Sequence, residues 1–260
     1  MGIINVTPDS FYDGGKNNSV ETAITQVRKH LKEGAKVIDI GGYSSRPGAD
    51  EVTEQEELNR TIPVIEAVLI AFPDTIISID TFRSNVAKKA IEAGAAIIND
   101  ISAGDLDENM FSVVAEKQVP YILMHMQGTP ETMQNNPNYK NIIQEITHYF
   151  SEKINTLRKK GVIDIIIDPG FGFGKTLEHN YEILGKLNHF QLLNVPILAG
   201  VSRKSMIYKL LEISPQESLN GTIAANIIAL RNGATILRVH DVKEAAECVK
   251  LDTKILLRKN

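Results

Sequence analysis

Short β-branched runs alternate with longer amphipathic segments from one end of the chain to the other. The runs predict strands over Gly2–Val6, Val37–Gly41, Ile76–Asp80, Ala96–Asp100, Pro120–His125, Asp164–Asp168, Pro196–Val201 and Ile236–His240. Between them apolar residues recur at helical spacing. They predict helices over Val20–Glu33, Gln55–Ala71, Asn85–Ala93, Met110–Lys117, Ile142–Lys159, Asn180–Leu187, Leu219–Arg231 and Lys243–Leu257. Gly34, Gly94, Gly161 and Gly233 stand where helices should end and the next strand begin. Strands separated by helices need crossover connections, so the sheet should be parallel. Runs such as Ile76-Ile-Ser-Ile and Ile163-Asp-Ile-Ile-Ile suit strands buried on both faces. An open doubly wound sheet is the alternative, but near-equal units favour closure into a single-domain (β/α)8 TIM barrel spanning residues 1–260.

The pattern also collects polar residues at one end of the strands. Asn5, Asp80, Asn99, His125, Asp168 and His240 all fall at or near a strand's C-terminal end. In this fold that face carries the active site. A strand-end polar residue can equally cap the following helix, which accounts for any one of these but not for the set. Residues two apart on a strand share a face, so Arg238 and His240 should project together while Val239 turns away.

Composition narrows the function classes. The 260 residues, 43% hydrophobic and 23% charged, are ordinary for one globular domain. A net charge of −4 offers no overall attraction to nucleic acid or anionic lipid. Any anion site must be a local concentration of basic groups. No apolar run approaches the ~20 residues that span a bilayer, and the first residues lack the pattern of a signal peptide. A single cysteine, Cys248, excludes an intramolecular disulfide and fits a reducing compartment. These features predict a cytoplasmic protein, with Cys248 as a small apolar residue of the last helix.

Three segments carry candidate chemistry. Asp168-Pro-Gly-Phe-Gly-Phe-Gly-Lys175 follows a strand-end carboxylate with alternating glycines, which would let backbone approach a flat ligand, with Phe173 stacking on it. Its tail resembles a phosphate loop, but the required glycine is Pro169, so that motif fails. Ser202-Arg-Lys-Ser205 opens a helix after the seventh strand. Lys204 would set a cation over the mouth, and Ser205 with the first-turn amides would suit a carboxylate. Arg203 is expected to serve as an outer-face ion-pair partner. In Arg238-Val-His-Asp-Val242 two basic side chains form an anion clamp suited to phosphate, with Asp241 as helix cap. Two loops rich in turn formers, Asn5–Gly15 and Gly41–Gly48, lie where lids would.

Taken in order, "MGIINVTPDSFYDGG", "DIGGYSSRPG", "SIDT", "IIND", "LMHMQGTP", "DPGFGFGK", "GVSRKS" and "RVHDV" resemble the dihydropteroate synthase family over nearly the whole chain. The resemblance implies a transferase of folate biosynthesis, the target of sulfonamides, with dihydropterin pyrophosphate and 4-aminobenzoate as substrates. It implies a pterin site of Asp80, Asn99, Met124, Asp168, Phe173, Gly200 and Lys204. It places pyrophosphate on Asn5, Arg238 and His240, with Mg2+ bridging the leaving group and Asn5. Phe11, Ser45, Arg46, Pro47 and Ser205 would surround 4-aminobenzoate. Asp13, Arg46, Lys204, Arg238 and His240 would carry catalysis, and a homodimer would form through the later helices, Leu219–Arg231 among them. Two departures stand out: Tyr43 and Ser45 replace the more usual Glu and Thr of the second loop, and the short hairpin that usually covers the barrel's lower rim is missing. The rival readings are a methyltetrahydrofolate methyltransferase, which has no pyrophosphate to bind, and a non-catalytic pterin-binding barrel. The Arg238 and His240 pair, Ser202–Ser205 and the two lid loops argue against the first, and the charged residues at every mouth position against the second.

Overall fold

The computed structural model describes residues 1–6, 15–43, 52–130, 132–133 and 137–256. Eight strands are present among them: β1 (Gly2–Asn5), β2 (Val37–Gly41), β3 (Ile76–Asp80), β4 (Ile97–Asp100), β5 (Tyr121–Met124), β6 (Ile165–Asp168), β7 (Leu198–Ala199) and β8 (Ile236–Leu237). The helices are α1 (Gly15–Glu33), α2 (Glu54–Ala71), α3 (Ser84–Glu92), α4 (Met110–Lys117), α5 (Ile142–Lys159), α6 (Leu177–Gly185), α7 (Ser205–Tyr208), α8 (Leu219–Arg231) and α9 (Val242–Leu256). A 3-10 turn over Leu187–Leu193, which the periodicity did not show, continues from the end of α6.

β1 to β6 form one parallel sheet in sequence order, and β7 pairs in parallel with β8. Isolated bridges join Ile167 to Ile197 and Gly2 to Val239. At the second seam the Ile3 amide donates to the Val239 carbonyl and the Val239 amide to the Met1 carbonyl, each at 3.0 Å. Every strand thus has two neighbours. The sheet is a closed barrel rather than an open one.

The interior is filled by the apolar strand runs. Ile4, Ile38, Ile40, Ile77, Ile79, Ile98, Ile122 and Ile167 are fully buried, as expected of strands covered on both faces. α5 shows how a helix is added to this core. Ile142, Ile143, Ile146, Phe150, Ile154 and Leu157 line its buried side at helical spacing. The Asn141 side chain caps its start by accepting from the Gln144 amide, and Arg158 and Lys159 lie in its last turn. The four glycines expected at helix ends all have left-handed φ, between 84° and 108°, where a side chain would be strained.

Candidate active site

Register assembles the mouth. Asn5 pairs with Gly41, Gly41 with Asp80, and Asp80 with Asn99. Directly paired residues of parallel strands face the same way, so these four positions form one arc at the C-terminal rim. A methyl added at Gly41 would sit 3.4 Å from Cβ of Asp80, an ordinary contact distance, so that aspartate lies directly beside the end of β2. Met124 and Asp168 form the corresponding pair on β5 and β6.

Arg238, just after β8, reaches carboxylates of β2 and β3. Its Nε donates to Asp39 Oδ2 at 2.6 Å and its Nη2 to Asp80 Oδ2 at 2.5 Å. Asp39 is fully buried, whereas the Asp80 side chain is 20% exposed. Asn99 Nδ2 lies 3.2 and 3.4 Å from the two oxygens of Asp39. Burial raises the pKa of Asp80 to about 7 against the opposing pull of Arg238. The two carboxylates raise that of Arg238, which stays charged.

Asp168 faces this group from β6. Its Oδ1 accepts from the Gly170 amide at 2.8 Å, and burial raises its pKa while Gly170, Lys204 and Arg238 oppose the shift. A methyl on Gly200 would come within 3.8 Å of its Oδ2, which places Gly200 beside the carboxylate. The Lys204 ammonium lies 4.3 Å from the centre of the Phe173 ring, a cation–π arrangement that orients both over the mouth. His240 Nδ1 lies 3.1 Å from Ser202 Oγ, which also accepts from the His240 amide. Burial and then the charge of Arg238 push His240 down to about 4, so its ring is neutral at pH 7.

Residues 1–240 match the protein family described as pterin binding enzyme. The chain is 46% identical to dihydropteroate synthase of Escherichia coli K12 over 96% of its own length and 89% of that protein's. It superimposes with a TM-score of 0.92 on a Yersinia pestis dihydropteroate synthase solved with a sulfonamide drug, at 43% identity and covering 98% and 92% of the two chains. A Xanthomonas albilineans dihydropteroate synthase solved with 4-aminobenzoic acid gives a TM-score of 0.91 at 39% identity, again over 98% and 92%. The chain belongs to the dihydropteroate synthase family.

Against the positions expected of a dihydropteroate synthase, the structure brings Asn5, Asp80, Asn99, Met124, Asp168, Phe173, Gly200, Lys204, Ser205, Arg238 and His240 to the strand ends or the turns that follow them. Phe11, Asp13, Ser45, Arg46 and Pro47 lie outside the described residues. Arg203 is the ion-pair partner anticipated, with Nε and Nη2 at 2.9 and 2.7 Å from the two oxygens of Asp241. Asp241 stands at the cap position of α9, but its carboxylate is given to Arg203.

Three readings need correction. Arg238 is not an unengaged half of a clamp, because Asp39 and Asp80 already hold its Nε and Nη2. His125 does not face the mouth. Its ring packs against Tyr149 and Phe150, and its Nδ1 lies 3.0 Å from Lys175 Nζ. Burial and then Lys175 push its pKa down to about 2, which makes it a neutral ring of the wall. The glycines of the Asp168–Lys175 turn serve mainly loop packing. A methyl on Gly170 would lie 2.1 Å from the His125 carbonyl oxygen, and one on Gly174 2.6 Å from that of Gln127. Gly172 alone among these three faces the Lys204 side chain, at 3.6 Å.

The residue that sequence reasoning missed is Asp39. The signal was present: an aspartate inside Val37-Ile-Asp-Ile-Gly41 interrupts a run that should be apolar. A carboxylate is buried in such a strand only when it has a charged or hydrogen-bonding partner.

Proposed function

We propose that this barrel condenses 6-hydroxymethyl-7,8-dihydropterin pyrophosphate with 4-aminobenzoate to 7,8-dihydropteroate, with loss of pyrophosphate. The observation that carries this reading is one mouth holding two kinds of group. Acceptors (Asp80, Asn99 and Asp168) line it, and the cations Lys204 and Arg238, with the neutral ring of His240, stand beside them. An aminopyrimidinone edge presents adjacent N–H donors, which a carboxylate accepts in pairs. In this reading Asp168 and Asp80 do this, with Asn99 beside them and Met124 and Phe173 as apolar walls. Just after β8, Arg238, through the N–H groups that Asp39 and Asp80 leave, and His240 then meet the pyrophosphate.

The chemistry is a dissociative substitution at the pterin methylene. The C–O bond to pyrophosphate breaks first, and the electron pair leaves with the pyrophosphate. The ring-stabilised cation is then attacked by the neutral aromatic amine, which afterwards loses a proton. The enzyme's contribution is orientation, stabilisation of separating charge and exclusion of water. In this scheme Asp13 faces the cation, and Arg46 with Phe11, Ser45, Pro47 and Ser205 encloses 4-aminobenzoate. Asn5, at the end of β1, would hold Mg2+ through an oxygen, a hard donor of the kind that ion takes beside phosphate oxygens. When bound, Mg2+ would offset the charge of the leaving group.

The same reading makes the protein a cytoplasmic homodimer. No helix among the described residues is long and apolar enough to cross a membrane. Ile228 of α8, with Val249 and Leu251 of α9, supplies exposed apolar surface for a second copy. Mixing the protein with dihydropterin pyrophosphate, 4-aminobenzoate and Mg2+ tests the activity. Pyrophosphate release and dihydropteroate formation should require all three, and release without the amine would mean a hydrolase instead.

A further inference from the structure

We propose that Asp39 is the positioning residue of this mouth, holding Arg238 by Nε and Asn99 by Nδ2 and so deciding which edges of both remain for the substrate. The inference rests on the reading of the mouth as the site of a pyrophosphorylated dihydropterin. Two carboxylates share Arg238, but they are not equivalent. Asp80 is on the rim, 20% exposed, and a ligand can reach it. Asp39 lies two residues below the rim on β2, level with Ser78 and with no exposed surface. A ring that takes the N–H acceptors of Asp80 removes one of the two partners of Arg238. Asp39 is then the charge that keeps the guanidinium over the barrel, with its remaining N–H groups free to meet the leaving group.

Asn99 follows the same logic. A carboxylate only accepts hydrogen bonds, so the nitrogen edge of the Asn99 amide faces Asp39. The carbonyl oxygen is thereby presented as an acceptor, the polarity that a ring N–H requires. One buried carboxylate therefore sets the orientation of a cation from β8 and an amide from β4. Neither of these strands is next to β2. Asp39 touches no substrate in this account and acts through the two residues that do.

The test is a double-mutant cycle with steady-state kinetics. Asp39→Asn keeps the size of the side chain but removes the charge and the obligatory acceptor. It should lower kcat/KM for the pterin substrate on the order of 10–100-fold, as loss of a supporting residue commonly does. KM for the pterin substrate should rise while KM for 4-aminobenzoate stays the same. A merely structural role would lower the active fraction and leave both KM values alone. In an Arg238→Lys background, which has no Nε to hold, Asp39→Asn should cost far less than it does alone. Additive losses in the two backgrounds would overturn the proposal, as would an Asp39→Asn enzyme equal to wild type. If Asp39→Asn does not fold, Arg238→Lys and Asn99→Ala are combined instead. These two residues share Asp39, so their losses should be non-additive, and additivity would again overturn it. A wild-type protein that makes no dihydropteroate would overturn the reading of the site, and this inference with it. An active wild type with an unimpaired Asp39→Asn variant overturns this inference alone.

Discussion

Lys175 shows how a charged side chain can belong to the site's sequence motif and yet do its work behind the barrel wall. Its Nζ lies 3.0 Å from His125 Nδ1 and donates to the His125 and Phe173 carbonyl oxygens at 3.1 and 2.8 Å. These three contacts tie the β6 turn to the β5 turn. Burial pulls the other way and brings Lys175 down to about 7 from 10.5, against the opposing charge of Asp168. The sign of the pH effect follows. Between pH 7 and 10.5 the unfolded chain holds the proton and the folded chain does not, so stability rises with pH in that window. Wild type should therefore gain stability over Lys175→Met as pH rises from 7 to 9, by about 1.4 kcal/mol per pH unit. Urea denaturation of both proteins at several pH values measures this, and parallel stability curves would show that Lys175 stays charged in the fold. The sequence could not separate this lysine from Lys204. Both follow strand ends by a few residues, and only the packing of the β5 turn against Gly170 and Gly174 sends Lys175 inward.

At the scale of elements, all eight strands and the principal helices were legible, because a closed parallel barrel makes apolar runs and helical stripes alternate with little interruption. Boundaries failed where hydrogen-bonded pairing is short. Pro196–Val201 and Ile236–His240 read as full strands, yet the ladder between β7 and β8 covers two residues of each. Beyond the ladder only single bridges at Ile197 and Val239 remain, and polarity patterns do not report where regular pairing stops. Long-range ion pairs were equally hidden. Glu57 of α2 is fully buried and accepts from Arg83 Nη1 at 2.5 Å. Arg83 Nη2 also donates to the Val52 carbonyl at 2.6 Å, and its guanidinium lies 5.5 Å from the centre of the Tyr43 ring. Tyr43, one of the departures in the second loop, also packs edge-on against Phe82. The pair thus joins β2's following turn, the start of α2 and the turn after β3. Glu57→Ala would leave Arg83 without its carboxylate and should lower stability by about 3–5 kcal/mol, the usual cost of breaking a buried pair. A denaturation midpoint that moves by the equivalent of less than about 1 kcal/mol would put the pair in the class of surface ion pairs.

Across the whole molecule, the mouth depends on residues very far apart in the chain. Arg238 meets Asp80 across 158 positions and Asp39 across 199. The strand that brings it closes the barrel by pairing beside β1. This has a consequence during synthesis, when the chain leaves the ribosome from its N-terminus. The first six strands can pair in order as they emerge, but their acidic rim must wait for its cation until β8 follows. A nascent chain therefore passes through a stage with most of its sheet and no substrate site. Ribosome-stalled chains with α8 outside the tunnel but β8 still inside should retain no pterin on a fluorescent-ligand assay. Those stalled with α9 fully emerged should retain it. Capture of the pterin by the shorter chains would mean that the six-strand sheet builds the pocket alone, and that the last strand adds only the grip on the leaving group.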